Sequence, residues 1–388
     1  MALVPPHLSL RRSRWAVVVV FFANGALGAT WASRIPTIRD RTHIDNAELG
    51  VALFAAAVGA VVTMNISGLI MARYGSRPLI IITGCSLCGA LVLLALTSNW
   101  PTLTGCLLLF GISNGGMEVA MNAQAVEIER HWKRPILSSF HAAYSLGGLG
   151  GAAASSIVVA RHIAPLPHFI GASAVLGTLV ILAIPFLLHN VDRSLEPPRF
   201  TPPSRATIIL GAIVFCAVLG EGAMTDWSAL YLTSIGASMA VAAIGYAVFS
   251  LAMAITRLCG DWITERIGRL VVIRVGTAIA AAGLAFALLI PNPVTVIIGL
   301  GGVGVGLATV FPTAMSLAGK SSGMTPGVAI AAIATCGYLG LLVGPVLIGG
   351  VASFLTIQIA LGSVVILNGV SSLLTSHVLN NGRKAVRQ

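Results

Sequence analysis

Three acidic residues lie inside long apolar stretches of the sequence. Glu118 lies within residues 102–126, and Glu221 and Asp226 lie within residues 207–232. A charge at the centre of a membrane helix costs about 2.5–3.5 kcal/mol on insertion scales, so such a residue usually faces a cavity or a partner. A partly desolvated carboxyl group can bind and release a proton near neutral pH. We interpret Glu221 as a proton carrier, and the alternative is a neutral glutamic acid hydrogen-bonded between helices.

A second candidate for proton transfer combines Glu118 with His141. Both residues are expected at similar depth on neighbouring helices, and an imidazole exchanges protons readily near neutral pH. The pair would form a proton relay. The alternative is a packing pair that also involves Tyr144.

Uncharged polar and aromatic residues in the same stretches can bind a hydroxylated or amide ligand. The candidates for substrate binding are Asn24, Trp31, Asn114, Asn122, Gln124, Tyr144 and Trp227. Aromatic residues near helix ends also anchor helices at the membrane interface, so Trp31 and Trp227 have a structural alternative.

Arg34 and Asp226 are candidates for a gate. If Trp31 corresponds to Trp227 in an internal repeat, Asp226 lies about one helical turn from the level of Arg34, within reach of an arginine side chain. We expect this pair to close the outer mouth of a transport path. A static bridge, or a solvated Arg34, is the alternative.

The elements that position these residues follow from composition. Of 388 residues, 56% are hydrophobic and 9% are charged, too few charges to cover a soluble surface. Apolar runs of about 20 residues or more each fit a membrane-spanning helix. The twelve runs are 14–35, 47–72, 78–98, 102–126, 136–160, 166–189, 207–232, 239–262, 271–290, 293–318, 325–349 and 353–378. The sequence predicts an all-α membrane protein.

The distribution of basic residues predicts the orientation. With the N-terminus inside, 19 Lys and Arg residues fall on cytoplasmic segments and four fall outside. Such a bias places both termini in the cytoplasm. The net charge of +11 is therefore a topology signal, which argues against a nucleic-acid partner. We predict an N-terminal six-helix half (1–189), a cytoplasmic linker (190–206) and a C-terminal six-helix half (207–388).

The two halves have similar motifs at nearly constant spacing. An offset of 193 aligns Arg73 with Arg266 and Gly147 with Gly340. Offsets of 196 and 191 are needed to align Trp31 with Trp227 and Gly111 with Gly302, respectively. This pattern predicts two parallel repeats.

Two turn segments carry a family resemblance. Residues 68–77 (GLIMARYGSR) and 260–269 (GDWITERIGR) resemble the G-x-x-x-D-R-x-G-R loop of the major facilitator superfamily of transporters. Ala72 replaces the usual Asp of the first copy, and the second copy has one extra residue. The stretches around Trp31, 140–147 and 221–227 resemble fucose-permease-related and poorly characterised bacterial permeases.

This resemblance implies twelve helices in two halves, with spans 1, 4, 7 and 10 lining a central cavity. It also implies that the two loops help to hold the halves together on the cytoplasmic side. The corresponding latch candidates are Arg73, Arg77, Asp261, Glu265, Arg266 and Arg269. Because Ala72 replaces Asp, the N-terminal latch is expected to be weaker.

The preferred interpretation is a monomeric, proton-coupled secondary transporter of a small polar solute, sugar-like or another metabolite, in the inner membrane. A proton-driven exporter of drugs or metabolites is an alternative within the class. A membrane-embedded enzyme and a transporter-derived sensor are alternatives from other classes. The sequence predicts no enzyme activity, cofactor or metal site. Its glycine-rich matches to nucleotide-binding motifs lie in apolar helices, without the preceding strand that such motifs require.

Overall fold

The regular structure is helical throughout the described residues. The computed structural model describes residues 7–44, 46–189, 205–237, 239–319 and 326–385. The helices of the first half are α1 (His7–Ala32), α2 (Ile35–Thr42), α3 (Asn46–Tyr74), α4 (Ser76–Leu94), α5 (Trp100–Trp132), α6 (Leu137–Ala160) and α7 (Pro165–Ala183). Those of the second half are α8 (Arg205–Ser234), α9 (Met239–Ile267), α10 (Arg269–Leu289), α11 (Pro293–Leu307), α12 (Val310–Ala318), α13 (Pro326–Phe354) and α14 (Ile357–Ala385). The predicted all-α fold is confirmed.

Twelve spans in the described part of the chain are long and apolar enough to cross a membrane. Large apolar side chains on them are exposed, as lipid-facing residues must be; Leu289 is 80% exposed and Phe354 is 89% exposed. The prediction missed α2, a short helix between the first two spans. It also ended the fourth span at 126, whereas α5 continues to Trp132 because Ile128 and Glu129 are buried.

The chain forms two compact units. Unit 1 contains Met1–Lys133, Phe140–Pro202 and Ser322–Ala334, and unit 2 contains Arg134–Ser139, Pro203–Ser321 and Thr335–Gln388. The first residues of α6 therefore belong to unit 2, and the first residues of α13 belong to unit 1. The predicted linker at 190–206 lies outside the described residues, except for 205 and 206, which begin α8. The division at 189 and 207 stays a prediction.

Close helix contacts show the internal repeat directly. A Cβ atom at Gly147 would overlap the carbonyl oxygen of Phe22, and one at Gly340 would overlap that of Phe215. Both the glycines and their partners are 193 residues apart. Small residues let membrane helices approach this closely, so each unit packs its first and fifth spans in the same way.

The fourth and second spans of each unit follow the same offset. Gly111 lies against the carbonyl of Ala56 and Gly304 against that of Phe249, again 193 residues apart. The offset of 191 that paired Gly111 with Gly302 is therefore wrong.

The offset of 196 that paired Trp31 with Trp227 is also wrong, because Phe22 and Phe215 fix the register of α1 and α8 at 193. In this register Trp227 corresponds to Arg34, and Glu221 corresponds to Gly28. The depth argument that related Arg34 to Asp226 through Trp31 loses its premise, although Asp226 now corresponds to Ser33, next to Arg34.

The two motif segments are helix ends rather than loops. A single glycine joins α3 to α4 and another joins α9 to α10: Gly75 with φ 83° and Gly268 with φ 87°. Only glycine adopts these angles without strain, and the two positions are again 193 residues apart. Each turn reverses the chain in one residue.

Candidate functional site

The central feature of unit 2 is an ion pair within the spans. Nη2 of Arg257 on α9 lies 3.3 Å from Oε1 and 3.4 Å from Oε2 of Glu221 on α8. The Arg257 side chain is 11% exposed and that of Glu221 is 33% exposed. The predicted topology included Arg257 among the 19 cytoplasmic basic residues, but it lies in the middle of the span Ile244–Ile267. Glu221 thus has an ionic partner that the sequence interpretation missed.

Arg257 also contacts a break in the tenth span. This span consists of α11 and α12, which are interrupted at Ala308 and Thr309. The carbonyl of Ala308 would normally accept a bond from the amide of residue 312, but Pro312 has no N–H group. Nε of Arg257 donates to this carbonyl instead, at 3.2 Å. One arginine therefore joins the acid of α8 to the carbonyl that the proline leaves without its helical partner.

The same region contains a buried amide with an unused acceptor. Asn368 on α14 is 1% exposed, and its Nδ2 donates to the carbonyl of Val364. Its Oδ1 is buried without a hydrogen-bond partner. A Cβ atom at Gly220, next to Glu221, would lie 3.1 Å from Nδ2 of Asn368. The side-chain amide of Asn368 therefore lies against the backbone of α8 beside Glu221. The sequence analysis did not single out this residue.

Unit 1 has two hydrogen-bonded pairs of neutral side chains within its spans, which we call the neutral chain. Nδ2 of Asn24 on α1 donates to Oδ1 of Asn114 on α5 at 3.0 Å, whereas Oδ1 of Asn24 is buried without a partner. Two turns along α5, Oδ1 of Asn122 lies 3.2 Å from Nε2 of His141 on α6. Asn122 also donates to the carbonyl of Glu118 at 2.9 Å. The structure thus brings Asn24 to Asn114 and Asn122 to His141; the Glu118–His141 relay stays a prediction.

Gln124 joins α5 to two other segments of unit 1. Its Nε2 donates to Oγ of Ser76 and to the carbonyl of Leu188, both at 2.9 Å. Its Oε1 accepts a bond from the backbone N–H of Leu188 at 2.9 Å, and Gln124 is completely buried. The amide joins α5 to α4 and to the segment after α7, and its assignment to the substrate site stays a prediction.

The aromatic candidates differ in accessibility. Trp31 is 6% exposed and its ring lies 6.4 Å from that of Phe110, so it packs between α1 and α5. Tyr144 on α6 is 37% exposed. Trp227 has a buried Nε1 without a hydrogen-bond partner. Trp227 and Tyr144 therefore fit a binding role better than Trp31.

Arg34 is buried within unit 1. Its Nε donates to Nδ1 of His168 at 3.1 Å and its Nη2 to the carbonyl of Ile163 at 2.7 Å. His168 Nδ1 must accept this bond, since arginine only donates, so the ring is neutral with its proton on Nε2, which lies 3.5 Å from Ser155 Oγ. Burial lowers the pKa of Arg34, but an arginine remains charged at physiological pH. The Arg34–Asp226 gate joins residues of different units and stays a prediction.

The second turn segment is held more firmly than the first. Both carboxylate oxygens of Asp261 accept bonds from the backbone N–H groups of Ser138 and Ser139, at 2.8 and 3.0 Å, within unit 2. These are the first amides of α6, where a negative charge also balances the positive end of the helix dipole. Glu265 lies 3.5 Å from Arg134, a more exposed pair.

Each of the remaining latch candidates contacts a residue of its own unit. Arg73 stacks on Tyr74 and Arg266 on Trp262, with distances of 5.3 and 5.4 Å from guanidinium to ring centroid. Arg77 contacts His189, and Arg269 donates to Ser316 at 2.9 Å. In the first segment Ala72 is 2% exposed.

Comparison with known proteins identifies the family to which this architecture belongs. The model of the Major Facilitator Superfamily matches residues 15–345 and 210–385. An MFS-type transporter of Yersinia pestis is 35% identical, over 90% of this chain and 91% of the relative.

Solved structures share the fold at low identity. The E. coli fucose:proton symporter FucP superposes with a TM-score of 0.76 and 14% identity, over 93% of this chain and 97% of that one. The human organic anion transporter MFSD10 superposes with a TM-score of 0.75 and 13% identity, over 96% of this chain and 100% of that one. From the matched length and the curated relative, we conclude that this chain belongs to the major facilitator superfamily of membrane transporters.

Proposed function

We propose that this chain is a proton-coupled secondary transporter that carries a small polar solute across the inner membrane by alternating access. In this proposal it works as a monomer with both termini in the cytoplasm. The observation that carries the coupling is the Glu221–Arg257 pair beside the break at Ala308 and Thr309. Because only the ionised carboxylate attracts Arg257, proton uptake by Glu221 weakens a contact that also reaches the opened helix.

The neutral chain in unit 1 supports the proposal that the transported solute is polar. Buried amides with an unused acceptor, such as Oδ1 of Asn24, favour a ligand that donates hydrogen bonds. The fucose:proton symporter and the organic anion transporter share this fold, so sugars and organic acids both belong in a substrate screen.

The test is transport in proteoliposomes with an imposed pH gradient, screened over sugars, sugar acids, amino acids and cationic dyes in both directions. We expect gradient-driven accumulation of at least one solute class. Glu221→Gln should abolish the accumulation but retain solute exchange without a gradient, because the amide cannot release a proton. Glu118→Gln tests the alternative relay with His141 in the same assay.

Asp40→Asn is the matched control, since Asp40 is an exposed acid that forms an ion pair with its neighbour Arg39. Its transport should equal that of the wild type. If Glu221→Gln and Glu118→Gln both leave gradient-driven transport intact, the proton-coupling proposal is wrong.

A further inference from the structure

We propose that the groove between α10 and α14 of unit 2 binds one anionic phospholipid, and that Arg274 holds the phosphate of its headgroup. This groove has a volume of about 450 Å³, and its lining includes Arg274 and Ser372. The ligand is a component of the membrane, so the site is separate from the solute site of the proposed function.

Arg274 is a charged residue inside a membrane span. It lies five residues after the start of α10, about 7.5 Å along the helix axis, in the candidate span Arg269–Leu289. The 21 residues of this span match the thickness of the hydrocarbon layer, so the Cα atom of Arg274 lies just below the headgroups. Its side chain is exposed, and within the described residues its guanidinium forms no hydrogen bond or ion pair. A long arginine side chain can extend from this depth to the lipid phosphates.

The two helices that form the groove are basic. Helix α10 contains Arg269 and Arg274, and α14 contains Arg383 and Lys384, whereas neither helix contains Asp or Glu. An anion at Arg274 is therefore not repelled by a carboxylate of either helix. The predicted topology places this end of both helices in the cytoplasm, where basic pockets between membrane helices typically bind anionic lipid headgroups.

The wall of the groove below Arg274 is apolar and fits an acyl chain. Val275, Ile279 and Ala282 follow one another at intervals of four and three residues, so they share one face of α10. Val275 is 41% exposed and Ile279 is 39% exposed. On α14, Oγ of Ser372 donates to the carbonyl of Arg274 at 3.0 Å, which holds the two helices together at the level of the arginine. The groove thus offers a cation for a phosphate and an apolar face for the chain attached to it.

Unit 1 has an equivalent groove without the charge. The groove between α4 and α7 is lined by Ile81 and Cys85, which the offset of 193 aligns with Arg274 and Ala278. Its volume is about 280 Å³, and the residues that line it are uncharged. The repeat therefore forms a groove at this place with or without an arginine. Since helix packing does not require the arginine, we infer that Arg274 serves to recognise an anion.

The experiment is native mass spectrometry of the purified full-length protein, titrated with phosphatidylglycerol. Phosphatidylcholine with the same acyl chains is the probe without net charge. We expect the wild type to bind the first phosphatidylglycerol at least about tenfold more tightly than Arg274→Ile, which introduces the residue of unit 1, because a charge-assisted hydrogen bond is lost. Arg274→Lys should keep most of the affinity. Arg12→Ile removes an exposed arginine from α1, so it is the matched control and should bind like the wild type.

Equal binding of phosphatidylglycerol by the wild type and Arg274→Ile overturns the inference. An equal loss of phosphatidylcholine binding in Arg274→Ile also overturns it, because the groove would then hold acyl chains regardless of the headgroup. If Arg274→Ile changes the oligomeric state but not lipid binding, the groove is a contact between two copies of the chain, and the inference is wrong.

A second variant covers the case in which Arg274→Ile does not fold. Ile279→Trp keeps the arginine and fills the groove with a larger side chain. It should weaken the binding of phosphatidylglycerol, and wild-type affinity in Ile279→Trp overturns the inference.

Discussion

The two units pack their helices in the same way but carry different polar groups within their spans. At positions equivalent to Glu221, Arg257 and Pro312 by the offset of 193, unit 1 has Gly28, Met64 and Val119. Without the proline, α5 is one continuous helix of 33 residues, whereas the corresponding span of unit 2 is divided into α11 and α12. Unit 1 keeps neutral amides, and unit 2 keeps a charge pair beside an interrupted helix. In the proposed function, the amides of unit 1 serve recognition and the charge pair of unit 2 serves the proton response.

The largest effect should come from breaking the charge pair. Glu221→Leu removes the carboxylate that pairs with Arg257, and we expect a loss of about 3–5 kcal/mol in the free energy of unfolding. The double variant Glu221→Leu/Arg257→Met should recover most of this loss. Denaturant unfolding of the two single variants and the double variant measures the coupling. Additive losses would show that the pair is not energetically coupled.

The next effect concerns the proline. Val119→Pro introduces into α5 the residue that interrupts the equivalent span of unit 2. Because no arginine is available at Met64 to bond the exposed carbonyl, we expect a loss of about 3 kcal/mol.

Pro312→Ala is the reverse change. It restores the N–H group for Ala308, so stability should not fall, and transport should slow if the break is needed for movement. Hydrogen exchange of the amides around 308–312 and transport rates check this. If Pro312→Ala transports faster than the wild type, the helix break is not required for the transport cycle.

Two buried amides of unit 1, Gln124 and Asn24, test which of its polar side chains bind the solute. Gln124→Ala removes the partners of Ser76 and Leu188, so we expect a loss of about 1–3 kcal/mol without a change in solute affinity. Asn24→Ala removes one bond to Asn114 and an unused acceptor, so stability should fall by about 1 kcal/mol or less while solute affinity weakens. Unfolding curves and solute competition distinguish the two; equal affinity losses would contradict the distinction.

The smallest effect concerns the turn segments. Asp261→Asn keeps an acceptor oxygen but removes the charge at the start of α6, and a loss of about 1 kcal/mol is expected. Glu265→Gln affects a side chain that is 46% exposed, so it should change stability by less than about 0.5 kcal/mol. Thermal unfolding of both variants at low and high salt measures the difference. Identical shifts would contradict the stronger hold attributed to Asp261.

The sequence predicts the fold well because span length, apolar composition and turn glycines are local properties. Glu221 was found from one such property, an acid in an apolar run. Its partner was missed because Arg257 is near a cluster of basic residues and was counted with the cytoplasmic charges. The spacing from Ala308 to Pro312 was a usable signal, since a proline always leaves the carbonyl four residues earlier without its helical partner.

Other misses depend on tertiary contacts that no local pattern encodes. The bonds of Gln124 to Leu188 and of Arg34 to His168 join residues far apart in sequence. Both residues looked like candidates for function because they are polar and close to apolar runs. The structure shows that their hydrogen bonds are made within unit 1, and the binding role of Gln124 and the gate role of Arg34 both stay predictions.

The contact between Arg257 and the carbonyl exposed by Pro312 constrains how this chain could have arisen. A proline at 312 that appeared first would have exposed a carbonyl without a partner, and an arginine at 257 that appeared first would have lacked its acid. Each single substitution is therefore costly until the others are present. Glu221 and Arg257 should be inherited as a pair, so a descendant that loses one of them is expected to lose the other, whereas a proline at 312 is expected only where an arginine at 257 can bond the carbonyl of Ala308.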